Sequence, residues 1–163
     1  MNGKRGFTLV EVLVVTAIVA ILATVATPAY INYVNRSKQG QAESMLFTAR
    51  LEEEEFYTDY GRYAGTIQCL PSFVTSGNTS CLTNCPTCPG SAKNSQVQYY
   101  TFYVSQILPQ SGNTAAYYQV AASRIISSSA ATDILTISSN TNNPTVVNTN
   151  ALKFSVFQWL FNP

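Results

Sequence analysis

Histidine is absent from all 163 residues of this chain. That excludes Ser-His and Cys-His catalysis, histidine-containing zinc sites and a covalently held c-type haem, which needs Cys-x-x-Cys-His. Charge is scarce: Lys, Arg, Asp and Glu make up 10 % of the residues, nine basic against eight acidic. So balanced a chain carries no global basic signal for nucleic acid. Carboxylates run out early, and after Arg62 only Asp133 remains, too few for a carboxylate-rich calcium loop. No cysteine follows Cys88, so no disulfide brackets the C-terminal region and the loop over 140–150 is expected to be held by packing alone. No catalytic residue, metal or cofactor is expected.

What is present begins with an apolar run from Phe7 to Ala29 in which Glu11 is the only ionisable side chain. About 20 apolar residues in a helix span a bilayer core of roughly 30 Å, so this run reads as a transmembrane helix. Lys4 and Arg5 precede it, and basic flanks stay in the cytoplasm, which places the remainder outside. The pattern predicts one helix from residue 7 to about 58, apolar on all faces at first. Pro28 lies inside it and predicts a kink or local melting, because proline lacks a donor and crowds the preceding turn. After residue 35 the helix turns amphipathic: Ala42, Met45, Leu46, Ala49, Glu53, Phe56 and Tyr60 recur at spacings of three and four, with Glu53 the one polar break. That stripe is expected to pack on a sheet. The four consecutive glutamates 52–55 read as a solvated face or as a contact with Arg36, Lys38 or Arg50 of a neighbouring copy. Gly61 reads as the C-cap, and the aromatics from Phe56 to Tyr63 as core and helix-exit packing.

The order Lys4-Arg5-Gly6-Phe7-Thr8-Leu9-Val10-Glu11 resembles the class III leader of type IV prepilins. The resemblance implies cleavage after Gly6 by a membrane-embedded prepilin peptidase, N-methylation of Phe7 and retention of the apolar helix. It implies the type IV pilin fold, an α+β arrangement with a long N-terminal α-helix packed on a small antiparallel β-sheet. It also gives Glu11 an assembly role with Phe7. The two lie one helical turn apart, and Glu11 of one subunit can neutralise the new Phe7 amine of its neighbour in an apolar filament core, where the attraction is strong. The implied partners are copies of itself and other pilins, the prepilin peptidase and the inner-membrane assembly machinery. The implied location is the bacterial inner membrane as a prepilin, then the extracellular filament.

The chain divides into a leader, 1–6; a membrane or filament-core half-helix, 7–29; an amphipathic half-helix and its exit, 30–63; a cysteine-bearing loop, 64–95; and a sheet region, 96–163. Within the loop, Cys69, Cys81, Cys85 and Cys88 are expected to form disulfides in an oxidising compartment. Nested pairing and sequential pairing both fit. Strands are expected over 97–108, 117–126, 133–138 and 152–161. The leading functional expectation is a structural pilus subunit, supporting adhesion, twitching motility or DNA uptake. A type II secretion pseudopilin is a second reading. A DNA-binding minor pilin, not favoured, is a third, with Arg62, Lys93, Arg124 and Lys153 as its dispersed basic candidates. A thiol enzyme on Cys85 and Cys88 lacks both histidine and redox context.

Overall fold

The computed structural model describes residues 7–74, 94–111, 115–126 and 132–148. The chain falls into two compact units, the second spanning Arg36–Leu152. One helix, α1, runs Leu9–Tyr60.

In the first unit, the large apolar side chains of α1 between Leu9 and Val25 are all exposed, so this stretch has no core of its own in the isolated chain. It is long and apolar enough to cross a membrane, by length and composition. Its few hydroxyls turn back on the helix: Thr16, Thr24 and Thr27 donate to the carbonyls of Leu13, Ile21 and Ala23. That satisfies them where water is absent. The local melting expected at Pro28 does not occur, since α1 is helical on both sides of it.

In the second unit, the amphipathic half of α1 packs on a five-stranded antiparallel sheet. The strands are β1 (Asn94–Val97), β2 (Tyr100–Leu108), β3 (Tyr117–Ile125), β4 (Thr132–Ser138) and β5 (Thr145–Val146), in that spatial order. Alternation along each strand puts rungs of side chains on the helix side. Phe102, Ala122 and Leu135 form one rung with Val146, and Val104, Val120 and Ile137 form the next. Ala42, Leu46, Ala49 and Phe56 of α1 close the same core over them. Tyr60 does not belong to that core; it is 55 % exposed, because the helix ends there and Gly61 turns the chain away. A bulge between Val104 and Gln106 interrupts the β2–β3 register, and the Ser105 hydroxyl there donates to the Gln119 carbonyl at 3.1 Å.

Two strand expectations change. The single strand over 97–108 is a hairpin, broken by the turn Gln98–Tyr99 with Gln98 at φ +53°; β1 therefore begins in what reads as the cysteine loop. That loop also holds two 3-10 turns, the buried Ile67–Cys69 and Pro71–Phe73, of which Phe73 is buried. The polar stretch after 140 is not held by packing alone. It contributes β5, and Arg50 of α1 donates to the Asn142 carbonyl at 3.0 Å and to Asn142 Oδ1 at 3.3 Å. Asn148 Nδ2 adds a bond to the Thr132 carbonyl at 3.1 Å. The strand expected over 152–161 lies outside the described residues.

Candidate functional site

The start of α1 is built by Thr8. Its hydroxyl accepts the Glu11 N–H at 3.3 Å and its carbonyl accepts from Val12, so Thr-x-x-Glu is a helix start of the capping-box type. Glu11 thereby sits in the first turn, where a carboxylate is favourable to the helix dipole. Phe7 precedes the helix and is 82 % exposed. The one-turn relation expected between Phe7 and Glu11 therefore does not arise from a shared helix here, because Thr8 takes the capping position between them. Gly6 lies outside the described residues.

The far end of α1 is closed by its own glutamates. Gly61, at φ +68°, donates to the Tyr57 carbonyl at 2.8 Å and reverses the chain. The returning segment brings the Ala64 N–H to Glu53 Oε2 at 2.8 Å. Glu52 accepts both the N–H and the hydroxyl of Ser72, serving a 3-10 turn that has orphan donors. Two of the four glutamates thus staple the helix exit, which is neither a free solvated face nor a contact reserved for a neighbour. Glu53 is fully buried. Burial pushes its pKa up to about 8, opposed by the Ala64 hydrogen bond and helped by the charge of Glu54. Among the described residues its Oε1 has no hydrogen-bond partner, nor has the buried Tyr118 hydroxyl. The helix-exit aromatics stack as expected: Tyr57 on Tyr63 at 4.7 Å and Tyr63 on Tyr118 at 4.6 Å.

At the opposite end of the sheet-packed half of α1 lies a polar row that crosses three strands. Arg124 on β3 stands opposite Asp133 on β4, and its guanidinium carbon is 5.1 Å from the centre of the Tyr100 ring on β2. Asp133, fully buried, accepts the Tyr100 hydroxyl at Oδ2 and Gln39 Nε2 of α1 at Oδ1, the latter at 3.3 Å. Burial holds the Tyr100 hydroxyl pKa above its usual value, with the Asp133 hydrogen bond and charge adding to it and Arg124 opposing. Outside the row, Lys38 places its ammonium 4.3 Å from the centre of the Tyr99 ring. Tyr99 is 51 % exposed, at the tip of the β1–β2 turn. Positive φ is uncommon for a residue with a side chain and costs of order 1–3 kcal/mol, so the Gln98 turn is a strained presentation of this aromatic. Arg36 follows the buried Asn35 by one position and Lys38 precedes the buried Gln39 by one, which at 100° per residue puts them on opposite flanks of the buried row. Arg36 is exposed and Lys38 and Arg124 are half-buried.

This end is basic and aromatic, while exposed Glu54, Glu55 and Asp59 collect at the other end of the same helix. Lys38 and Asp59 are 21 positions apart in α1, about 32 Å at 1.5 Å per residue. That separation exceeds the screening length of roughly 8–10 Å near physiological salt, so these three acids do not cancel the basic end; Glu43, half-buried and five positions after Lys38, is the carboxylate of α1 nearest to it in sequence. Of the basic residues singled out by sequence, Arg124 lies here. Arg62 is exposed just past the acidic helix end. Lys93 and Lys153 lie outside the described residues. In the sequence Lys38 reads only as a partner for a neighbour's glutamates, and Tyr99 and Gln39 carry no signal; the fold brings Lys38 to Tyr99 and Gln39 to Asp133.

Cys69 is buried and disulfide-bonded; Cys81, Cys85 and Cys88 lie outside the described residues. Among the described residues no three His, Cys, Asp or Glu side chains gather as a metal would need.

Two families match the chain. Residues 1–27 match the prokaryotic N-terminal methylation motif. Residues 28–134, well over half of the chain, match the family described as type IV minor pilin ComP, DNA uptake sequence receptor. No curated protein and no solved structure matches it significantly. The methylation motif and the long apolar helix fit an inner-membrane prepilin precursor. This family is a structural pilin domain and not an enzyme. A long helix on an antiparallel sheet, begun by a methylation motif and continued by the minor-pilin match, assigns the chain: it belongs to the type IV pilin family, in the group of ComP-like minor pilins.

Proposed function

We propose that this subunit captures DNA at the surface of a type IV pilus, with the basic end of its sheet domain as the interface. The observation that carries the reading is the minor-pilin match over residues 28–134, whose family description is a DNA uptake sequence receptor. It favours the DNA-binding alternative over a general adhesive or motility subunit, and over a pseudopilin. The matched segment contains Arg36, Lys38, Tyr99 and Arg124. Arg36 and Lys38 supply point charges for phosphates, which fix register without reading sequence. Tyr99 offers an aromatic face beside them. The exposed Gln98 amide and the guanidinium groups of Arg124 and Arg36 can make paired hydrogen bonds to base edges.

Assembly completes the reading. Cleavage after Gly6, N-methylation of Phe7 and pairing of that amine with Glu11 of a neighbour insert the subunit among other pilins, with the apolar half-helix passing from lipid to filament core. The cysteines Cys69, Cys81, Cys85 and Cys88 staple the loop between helix and sheet.

The test is binding of a labelled DNA duplex by the full-length protein in detergent, across a salt series. Lys38→Gln and Arg36→Gln are each expected to lower affinity and to flatten the dependence of log affinity on log salt by about one. Glu55→Gln, at the acidic end, is expected to leave the slope unchanged. Equal slopes in all three variants would overturn the placement of the interface.

A further inference from the structure

Asp133 is the one carboxylate of the sheet, and it is fully buried. A buried carboxylate is costly unless it is paired and hydrogen-bonded. The next helix-facing position on the same strand is Leu135, so the core itself has no need of an acid here. Asp133 accepts from two elements, Gln39 of α1 and Tyr100 of β2, and its register neighbour on β3 is Arg124. Arg124 faces the same Tyr100 ring. Gln39 and Tyr100 take up one carboxylate oxygen each, so the carboxylate is fixed in place by neutral donors beside the strand position of Arg124. Of the other charged groups of this end, Lys38 is engaged with Tyr99, Arg36 is exposed and Glu43 is half-buried.

Resting on the DNA reading above, we infer that Asp133 is a positioning residue for Arg124. It holds the guanidinium against the Tyr100 ring and cancels part of its charge. Arg124 then contributes less to indiscriminate phosphate attraction than an unrestrained arginine would, and engages DNA from one fixed orientation. The effect is to weaken binding to arbitrary sequence, since loose electrostatic attraction supplies most of non-specific affinity.

The experiment measures binding of the full-length protein in detergent to a random-sequence duplex over a salt series, for four proteins. Arg124→Gln is expected to weaken binding and flatten the salt slope by up to about one. Asp133→Asn keeps the shape and removes the charge; its one oxygen accepts from the Tyr100 hydroxyl, and its amide N–H meets Gln39, whose side-chain amide can turn to present its own oxygen. It is expected to strengthen binding by about threefold to tenfold and to steepen the slope. In the double variant the Asp133→Asn gain is expected to vanish, because it acts through Arg124. A purely structural aspartate would weaken binding when replaced, and would do so with or without Arg124. If Arg124→Gln changes nothing, the placement of the DNA interface at Arg124 is wrong and this inference falls with it. If Arg124→Gln weakens binding but Asp133→Asn does not strengthen it, the interface stands and the positioning role is overturned. Should Asp133→Asn fail to fold, Tyr100→Phe serves instead. It keeps the ring, frees Oδ2 for Arg124 and is expected to weaken random-duplex binding; unchanged or tighter binding would overturn the role.

Discussion

Replacing Glu53 by Gln tests the helix-exit staple most sharply. The carboxyl is fully buried, its pKa is raised from 4.5 to about 8, and Oε2 holds the Ala64 N–H at 2.8 Å. The folded-state value is raised, so the folded protein keeps a proton that the unfolded chain has released between these two values. Stability therefore falls as pH rises through that window, with the full stability present below the unfolded value. At about 1.4 kcal/mol per unit of pKa, the loss is roughly 3 kcal/mol by pH 7 and approaches 5 kcal/mol above pH 8. Glutamine has nearly the same volume, still accepts from Ala64 through its carbonyl and does not ionise. At pH 4.5 the variant should match the parent within about 1 kcal/mol; at pH 8.5 it should be more stable by roughly 3–5 kcal/mol. Glu53→Ala removes the acceptor as well, and should cost roughly 2–4 kcal/mol at low pH, through an unpaired buried N–H and a cavity. Urea unfolding of the full chain in detergent, followed by near-ultraviolet circular dichroism from Tyr63 and Tyr118, reads all three. Parallel pH profiles for parent and Glu53→Gln, or parent stability that rises from pH 5 to 8, would refute the reasoning.

Arg50→Ala removes both bonds to Asn142; it should cost about 1–2 kcal/mol and speed amide exchange over 139–148 in hydrogen-exchange measurements. Glu11→Ala should still insert in the membrane and still be cleaved after Gly6, yet fail to enter filaments, as immunoblots of sheared pili against membranes would show; normal incorporation removes the assembly role proposed for Glu11. Thiol titration of the denatured, unreduced protein should find all four cysteines blocked, and mass analysis of proteolytic fragments then gives the pairing.

The helix was legible because its signal is local. A residue-by-residue apolar run and then a three-four stripe need no knowledge of the rest of the chain, and Gly61 marks its end through its own backbone freedom. Strands β3 and β4 were legible from β-branched and aromatic runs bounded by turn residues. The β1–β2 hairpin was not. Its turn residues, Gln98 and Tyr99, have no turn chemistry of their own, and tertiary pairing imposes the positive φ on Gln98. The glutamate run misled for a related reason. Four adjacent acids look solvated, but a helix sends neighbours in directions 100° apart, and Glu53 falls on the buried row while Glu54 and Glu55 do not. The basic end was legible only as a lone Arg124, since Lys38 and Tyr99 are 61 positions apart and meet through the fold.

The two buried polar anchors on α1 also bear on how the basic end is set. Between Gln39, which holds Asp133, and Glu53, which holds the Ala64 N–H, the helix presents only Ala42, Leu46 and Ala49 as fully buried side chains. Small and aliphatic residues tolerate sliding by a turn of about 5.4 Å, because apolar contact is non-directional. Hydrogen bonds to buried carboxylates do not. A one-turn slip on the sheet would leave the Asp133 carboxyl without its Gln39 donor, a loss of several kcal/mol. Gln39 thus fixes the helix on the sheet, while Glu53 fixes the helix exit. Lys38, one residue before Gln39, inherits that fixed place beside Tyr99, as does Arg124 opposite Asp133. Exposed lysines and arginines are ordinarily mobile and bind phosphate without preference. Here the polar core beneath them sets where two of them stand.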